Sequence, residues 1–371
     1  MRVSIKDIAK AAGVSHSTVS RALSDSPLIK NETKTRIQHL AQEMGYSPNA
    51  VARSLVTRQT YTVGVVVTTI ADPFIAEIVQ GIEATAHDHG YTVILCNSGA
   101  VPEREIAAVE MLRSKRVDGV IVTASRIGAL YLEHLERIGV PIVLINNHNE
   151  QSGRYTFTVT VDNRHGGHLA TEHLIQLGHR RISYVAYTAN YSSDLDRLTG
   201  YRQALIEGGI EPDLALVFPG NGRPDGGERA LMSMMSLNEP PTAVFCYNDM
   251  TAMGLIYAAR QAGLSIPQNL AVAGFDDILF ASYLYPPLTT IAQPKVEMGQ
   301  QAMHMMLSLI TARDDGHEEL VLRQGSFDGG KCSPVGHEVT HQNLLDRVLA
   351  NVVVQGRLVV RASTTLTPSS P

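Results

Sequence analysis

From Tyr61 onward, the chain alternates short apolar runs with amphipathic segments. Runs such as TVGVVV, YTVILCNS, GVIVTAS, PIVLINN, RISYVAY, LVFPG, TAVFCYN and LAVAGFDD predict strands buried on both faces of a parallel sheet. Apolar residues at helical spacing predict helices over 74–89, 103–115, 128–138, 166–177, 197–208, 225–236 and 249–262. About ten alternating strand-helix units are too many for one doubly wound sheet. We therefore predict two similar α/β lobes, with the chain crossing between them.

The first sixty residues have a different pattern, which predicts helices alone. Ser4 and Asp7 form a capping-box pair before a helix that ends at Gly13. Helical spacing of apolar residues predicts a second helix over 16–23 and a third over 31–44. The first two helices are joined by a short turn that contains glycine, which is typical of a helix-turn-helix.

Charge separates the same two regions. Residues 1–60 hold nine Lys and Arg against four Asp and Glu, whereas the remainder has a net charge of −10. A basic head on an acidic body indicates a polyanion-binding module joined to a second functional unit. The three cysteines are widely spaced without a CxxC motif, and no apolar run is long enough to span a bilayer. We therefore expect a cytoplasmic protein without disulfides, cofactor or membrane contact.

Motifs along the whole chain resemble those of the LacI/GalR family of bacterial transcription regulators. They are VSIKDIAKAAGVSHSTVSRAL and GYSPNAVARSL in the head, then TVGVVV, DGVIV, EHLIQLGHRRISYV, RLTGYRQAL, CYNDMTAMG, VAGFDD and PPLTTI in the body. The resemblance implies a homodimer with an all-α helix-turn-helix head. It also implies an α/β body of two doubly wound parallel-sheet lobes, similar to a periplasmic binding protein, with a small-molecule effector between the lobes.

The second head helix carries the side chains that we expect to reach DNA bases. The N-terminal residues of this helix lie at base edges in the major groove, and here they are His16, Ser17 and Arg21. Arg21 can bind a guanine through two hydrogen bonds. Phosphate contacts position a protein on DNA without reading sequence, and we expect them from Ser4, Lys6, Ser20, Asn31 and Thr33.

The segment 49–55 resembles the hinge helix of the family. The resemblance implies that two hinge helices pair in the minor groove at the operator centre, where Leu55 would open a base step and bend the duplex. Asn49 and Arg53 would contact the walls of the groove. A helix this short cannot persist alone, so its folding would depend on DNA binding. The expected partner is a double-stranded operator with an inverted repeat.

Polar side chains follow several predicted strands, at the sheet edge where ligands of doubly wound proteins bind. The resemblance places Arg197, Asn248, Asp276 and the turn from Asp72 to Phe74 at ligand contacts. Asp162 is a further candidate for the effector site, or a brace for the crossing between lobes. Other polar residues after strands are Asn146, Asn147, His148, Asp249 and Asp277, of which the last two could instead cap helices.

The chemistry of these residues favours a sugar. Carboxylates accept hydrogen bonds from hydroxyls, an arginine donates in a fork, and an aromatic ring stacks on the apolar face of a sugar ring. We therefore expect a sequence-specific repressor of carbohydrate-use genes, controlled by a sugar or a sugar phosphate. A purine effector is the alternative, because Phe74 could stack on a base.

The tail contains a motif that points to different chemistry. Residues 337–341 are HEVTH, the helical zinc motif of metalloproteases. A catalytic zinc needs a third protein ligand, and Arg347 stands where metzincins have a histidine. We expect no metal site and no enzymatic activity; a zinc hydrolase remains an alternative, as does a transport receptor without DNA function, which the basic head disfavours.

The segments of the chain follow from these patterns. We predict a DNA-binding domain over 1–47, a hinge helix and linker over 48–60, a two-lobed effector-binding and dimerisation domain over 61–364, and a disordered tail over 365–371. Family members pass from a strand like ELVLR to the closing strand within a few residues. We therefore predict that 324–347 is an insertion before the closing strand VVVQGRLVVRAST.

Overall fold

The computed structural model describes residues 3–46, 54, 59–123, 139–146, 156–187, 192–314 and 351–365. The chain divides into two compact units, the head over 1–60 and the body over 61–371. The hinge residues Asn49, Arg53 and Leu55, the HEVTH motif and the insertion 324–347 lie outside the described residues. Within those residues, no helix combines the length and apolarity needed to cross a bilayer.

The head consists of α1 (Ile5–Ala12), α2 (His16–Leu23) and α3 (Asn31–Glu43). These bounds confirm the predicted helices and the helix-turn-helix between α1 and α2. Each helix contributes a fully buried aliphatic side chain to one small core, namely Ile8, Val19 and Ile37. Gly13 ends α1 in the left-handed conformation with a φ of 65°, which favours glycine because it lacks a Cβ atom.

The first lobe of the body is a parallel sheet with helices on its faces. Its strands are β1 (Thr62–Val67), β2 (Thr92–Asn97), β3 (Gly119–Thr123), β4 (Ile142–Ile145), β5 (Thr156–Val161) and β11 (Asn351–Val354), in the order β11-β5-β4-β3-β1-β2. Helices α4 (Pro73–Asp88), α5 (Pro102–Ser114) and α10 (Lys295–Asp314) pack against these strands or each other. Residues 63–67 of β1 are buried, as expected for a strand covered on both faces.

The second lobe repeats this architecture. Its strands are β6 (Ile182–Tyr187), β7 (Val217–Gly220), β8 (Ala243–Cys246), β9 (Ala271–Asp276), β10 (Thr289–Ala292) and β12 (Arg357–Val359), in the order β12-β10-β9-β8-β6-β7. Only β12 among them runs antiparallel to its neighbour. The helices are α6 (Asn163–Gln176), α7 (Ser192–Glu207), α8 (Pro224–Met235) and α9 (Asp249–Gln261). The predicted pair of doubly wound lobes is confirmed.

The described chain crosses between the lobes at three places, after β5, after β10 and after β11. The last crossing corrects the prediction of one closing strand over VVVQGRLVVRAST. That segment forms two strands, because Gln355 and Gly356 interrupt it: β11 pairs with β5 in the first lobe, and β12 pairs with β10 in the second. After β12, Ser363 lies buried in the second lobe, where its hydroxyl donates to the carbonyl of Val272 at 2.6 Å.

Two helices begin earlier than apolar periodicity predicts, because their first turns are polar. α6 begins at Asn163, after Asp162, whose side chain accepts a hydrogen bond from the amide of His165 at 2.9 Å. α7 begins at Ser192, and Asp194 in its first turn accepts from the amide of Tyr187 at 2.9 Å. The first turn of α7 contributes Ser193 to the cavity described below, whereas the first turn of α6 lies at the crossing between the lobes.

Candidate functional site: a basic helical surface and an interlobe cavity

The outer face of α2 carries all four side chains predicted for this helix. His16, Ser17, Ser20 and Arg21 are exposed, whereas Val19 and Ala22 are buried on the opposite face. Residues at these spacings lie next to one another on one side of a helix. The helix therefore presents an imidazole, two hydroxyls and a guanidinium as one exposed stripe, which is the arrangement needed to contact base edges and phosphates.

Local hydrogen bonds fix the ends of the head helices. Ser15 caps α2 by accepting from the amide of Thr18 at 3.1 Å, and its hydroxyl lies 2.8 Å from that of Ser17. The amide of Ser4 donates to Asp7 at 2.9 Å, and its hydroxyl donates to the same carboxylate at 2.7 Å. Ser4 therefore fixes the start of α1, and Ser17 is held at the start of α2.

The cations in the described part of the head divide into two groups. Lys34 forms an ion pair with Asp25 at 2.7 Å, and Arg36 donates to the carbonyl of Ala12 at 2.9 Å, so both stabilise the head itself. Lys6, Lys10, Arg21 and Lys30 are exposed. The predicted phosphate residues Asn31 and Thr33 lie in the first turn of α3, exposed and half-buried respectively. The basic excess seen in the sequence therefore lies in part on the outer surface.

A cavity of about 450 Å³ lies between the two lobes of the body. It receives residues from the ends of strands and the starts of helices in both lobes, as expected for doubly wound sheets. Five of the six predicted effector residues line it, namely Asp72, Phe74, Arg197, Asn248 and Asp276. Its other polar or aromatic lining residues include Thr68, Thr69, Asn146, Tyr187, Ser193, Asn221, Arg223, Asp225 and Tyr247.

Arg197 is the most constrained side chain of the cavity. Its Nε donates to Asn163 Oδ1 at 2.9 Å, and its Nη1 donates to the carbonyl of Tyr247 at 2.6 Å. The guanidinium carbon lies 3.6 Å from the ring centroid of Phe275 and 4.5 Å from that of Tyr247. These contacts hold the guanidinium at the wall of the cavity, where a ligand would meet it.

Asp276 faces Arg197 at the end of β9, with 3.9 Å between its Oδ1 and Arg197 Nη1. The same oxygen accepts a hydrogen bond from Gln293 Nε2 at 2.7 Å. Burial raises the pKa of this carboxyl well above its ordinary value, although the guanidinium of Arg197 opposes that shift. The backbone of Asp276 has a φ of 121°, which is strained for a residue with a side chain. Such strain is typical of binding sites.

The first lobe contributes the opposite wall. Asp72 caps α4 by accepting from the amide of Phe74 at 3.0 Å, and burial raises the pKa of its carboxyl. Asn146, which follows β4 with a φ of 54°, is buried, and its Oδ1 has no hydrogen-bond partner within the described part of the chain. An unpaired buried acceptor is costly. Asn146 is therefore positioned to accept a hydrogen bond from a ligand.

Two tyrosines form an aromatic wall that sequence analysis missed. The rings of Tyr187 and Tyr247 have centroids 5.1 Å apart with an angle of 31° between their planes. The hydroxyl of Tyr247 lies 3.1 Å from that of Ser193, and burial raises the pKa of Tyr247 to about 12. Tyr187 is the last residue of β6 and Tyr247 directly follows β8, so the rule that identified the acids would also have found them.

Two predicted roles are corrected by the structure. Asp162 is not among the described residues that line the cavity. It caps α6 at the crossing between the lobes. Asp249 is not a helix cap: Asn248 caps α9, with its Oδ1 accepting from the amide of Thr251 at 2.9 Å. Asn248 also donates to the carbonyl of Gly222 at 3.1 Å, so its amide fixes the cavity wall.

Asp249 and Asp277 instead stabilise the turn after β9. Asp249 is buried and accepts from the hydroxyl of Thr290 at 2.6 Å and from the amide of Ile278 at 2.9 Å. Burial raises the pKa of Asp249 to about 7. Asp277 forms an ion pair with Arg361 at 2.7 Å. Both acids therefore hold the backbone that carries Asp276.

Together, these features define a class of protein: a helix-turn-helix head with an exposed basic helix, joined to a two-lobed body with a polar and aromatic ligand cavity. The family model described as "Bacterial regulatory proteins, lacI family" matches residues 4–49. The model described as "Periplasmic binding proteins and sugar binding domain of LacI family" matches residues 60–325. The chain belongs to the LacI family of bacterial regulatory proteins.

Individual relatives agree with this assignment. The HTH-type transcriptional repressor PurR of Edwardsiella ictaluri (strain 93-146) is 38% identical over 332 residues, covering 88% of this chain and 97% of that protein. The PurR of Vibrio atlanticus (strain LGP32) is 36% identical, covering 85% of this chain and 94% of that protein.

Solved structures show the same architecture. The Lac repressor dimer bound to operator and the anti-inducer ONPF has a TM-score of 0.80 at 26% identity, covering 99% of this chain and all of that one. The complex of the transcriptional regulator CelR with cellobiose has a TM-score of 0.66 at 28% identity, covering 98% of this chain and 100% of that one.

Proposed function

We propose that this protein is a sequence-specific DNA-binding transcription repressor whose operator affinity is set by a small molecule in the interlobe cavity. The observation that carries the proposal is the presence, in one chain, of the exposed stripe on α2 and the lined cavity of about 450 Å³. The PurR relatives are named repressors, and a Lac repressor structure contains operator DNA. The protein acts in the cytoplasm, and its activity is binding without catalysis.

The DNA-binding form is a homodimer on an inverted repeat. One α2 helix reads only a few base pairs, and a twofold pair of heads matches a palindromic operator. The second lobe has an apolar surface over 279–285, where Leu279, Phe280, Tyr283 and Tyr285 are 63%, 49%, 78% and 83% exposed. A contiguous set of exposed apolar side chains marks an association surface. We assign this surface to the dimer.

The effector is a sugar or a sugar phosphate. Acids, amides and hydroxyls from both lobes line the cavity, including Asp72, Asn146, Ser193 and Asp276, and together they match the many hydroxyls of a sugar. Arg197 adds a charged donor, and the rings of Phe74, Tyr187 and Tyr247 can cover the apolar face of a pyranose or furanose.

A purine effector is the second candidate. The relatives named PurR favour it, and so does the tyrosine pair, since a flat base stacks well on aromatic rings. The two candidate effectors differ in how many polar groups of the cavity they can pair with. A purine offers only a few polar edge atoms, so the polar groups of one lobe would stay unpaired, whereas a sugar can pair with groups in both.

Selection of DNA tests the regulator itself. We would incubate the full chain with a random-sequence duplex pool, sequence the enriched DNA, and measure the protein-to-duplex ratio by sedimentation. We expect an inverted repeat that binds two chains, with an affinity at least about a thousandfold above that for scrambled duplex. Enrichment of no sequence, or of a single half-site by one chain, would contradict the proposal.

Calorimetry separates the two effector classes. The full chain would be titrated with cellobiose, ribose, glucose 6-phosphate, hypoxanthine and guanine. A saturable heat with one of the three carbohydrates, absent in Arg197→Ala, supports the sugar. A saturable heat with a purine alone, lost in the same variant, would replace the sugar by the second candidate.

A further inference from the structure

Lys295 contacts residues of both lobes next to the cavity, although it is not part of the lining. It is the first residue of α10, directly after the chain crosses from β10 to the first lobe. The residue is only 5% exposed. A buried ammonium is costly unless several acceptors surround it, so its partners show which groups it has to hold.

Two of those partners are backbone carbonyls of the second lobe. The Nζ of Lys295 donates to the carbonyl oxygens of Asp276 at 2.9 Å and of Asp277 at 2.6 Å. Both residues have a positive φ, 121° and 51°, in a region that residues with side chains rarely adopt. The ammonium therefore stabilises an unfavourable turn, and that turn carries the carboxylate that faces Arg197 in the cavity.

The third partner lies in the first lobe. Glu77 Oε2 is 3.4 Å from Lys295 Nζ, and Glu77 lies on α4, one turn after the cavity residue Phe74. α4 and α10 are in backbone contact through glycines: a Cβ atom on Gly81 would collide with the carbonyl of Val296, and one on Gly299 with that of Ile78. The stem of Lys295 is therefore fixed to the helix that begins at the wall of the first lobe.

We propose that Lys295 is a positioning residue that ties the Asp276–Asp277 turn of the second lobe to helix α4 of the first. This inference rests on the effector cavity proposed above. Because one ammonium bridges both walls, the lobes cannot rotate apart without breaking its bonds to the carbonyls of 276 and 277. Lys295 thus couples the geometry of the cavity to the separation of the lobes. Because the separation of the lobes sets operator affinity in the proposed function, Lys295 also affects operator affinity.

A distance measurement without any ligand tests the bridge. Spin labels would be placed at two exposed positions, Glu103→Cys in the first lobe and Asn238→Cys in the second, after Cys96→Ser and Cys332→Ser. Labelled protein would be diluted into unlabelled protein, so that each dimer reports one intramolecular distance. Lys295→Met keeps the length and apolar stem of the side chain while removing the ammonium. Lys115→Met, on the exposed surface of the first lobe, is the matched control.

We expect Lys295→Met to broaden the interlobe distance distribution and add a longer-distance population, and Lys115→Met to leave it unchanged. Unchanged distributions in both variants would overturn the proposal. If Lys295→Met does not fold, Glu77→Gln provides the second test: it removes the charged partner in the first lobe but leaves the carbonyl contacts. We expect a smaller broadening from Glu77→Gln, and its absence in that case would equally overturn the bridge.

A double-mutant cycle distinguishes positioning from general destabilisation. If Lys295 and Glu77 act through the same bridge, the double variant should broaden the distribution no more than Lys295→Met alone, while independent structural effects would add. With the titrant and the selected operator from the tests above, Lys295→Met should lower the effect of effector on operator affinity by about tenfold. Because the distance measurement needs neither ligand nor DNA, failure of the bridge remains separate from failure of the proposed function.

Discussion

Two arginines show how differently the head and the body work. Arg21 is exposed on α2, with its guanidinium facing solvent, whereas Arg197 is 2% exposed and lies between two aromatic rings, an amide and a carboxylate. The head keeps its recognition groups outside a small apolar core, so recognition and stability are separate. The body places recognition groups inside a polar network that also maintains the fold. Arginine therefore serves recognition alone in the head, whereas in the body it serves both recognition and stability.

The largest expected effect comes from Arg197→Ala. This change leaves buried Asp276 without its facing cation and Asn163 Oδ1 without its donor, so we expect the body to lose about 3–5 kcal/mol of unfolding free energy as well as effector binding. Urea unfolding followed by tyrosine fluorescence measures it. Exposed Arg260→Ala is the matched control and should stay within about 0.5 kcal/mol of the parent. Equal stability of both variants would show that Arg197 is not part of the structural network.

Arg21→Ala is the counterpart in the head. We expect a loss of about 1–3 kcal/mol in binding to the selected operator, with unchanged body stability and unchanged effector heat. Gel-shift titrations on operator and on scrambled duplex measure the loss. If Arg21 reads a base, binding to scrambled duplex should fall much less. A similar loss on both duplexes would make Arg21 a phosphate contact.

Asp249→Asn tests how the buried polar network of the body makes its stability depend on pH. The folded pKa of Asp249 is about 7, above the ordinary value of about 4, so the folded state keeps a proton that the unfolded chain releases. Between those values, each rise of one pH unit lowers the stability of the parent by up to about 1.4 kcal/mol, and the decrease levels off about one pH unit above the folded pKa.

The asparagine variant should therefore lose that slope and gain relative to the parent as pH rises. Its carbonyl can still accept from Ile278, and its amide can donate to Thr290. Urea unfolding at several pH values between 5 and 8 measures the slope, with exposed Asp88→Asn as the control that should retain it. An unchanged slope in Asp249→Asn would assign the titration to another buried group.

The smallest effect on stability is expected for Asn146→Gly. Glycine accepts the φ of 54° readily, and the change removes an unpaired buried acceptor. We expect stability to stay within about 1 kcal/mol of the parent while effector affinity falls at least about fivefold. Thermal unfolding and calorimetry measure the two quantities. A large loss of stability with unchanged affinity would give Asn146 a structural role.

The head could be predicted closely because its signals are local. The capping pair of Ser4 and Asp7, and Gly13 after α1, set the ends of the first helix, and the exposed face of α2 follows from periodicity alone. In the body, unbroken apolar runs located the strands. The predicted starts of α6 and α7 were too late, because their first turns are polar and the prediction used only the spacing of apolar residues.

The cavity could be predicted only in part. Arg197 and Asp276 were placed by resemblance, and the position of Asp72 after a strand agreed with it. The tyrosine wall was missed because an aromatic residue at the end of a strand also fits a core position. The bridge by Lys295 could not be predicted at all, since its acceptors are backbone carbonyls whose direction depends on the φ values of Asp276 and Asp277.

Sequence-specific binding by the head is tested most directly by the salt dependence of binding to the selected inverted repeat and to a scrambled duplex. Phosphate contacts impose a steep decrease of affinity with salt on both duplexes, while base contacts by α2 add a preference for the repeat. We expect two steep lines, with the repeat bound at least about a thousandfold more tightly at physiological salt. Coincident lines, or no binding to either duplex at low salt, would contradict this expectation.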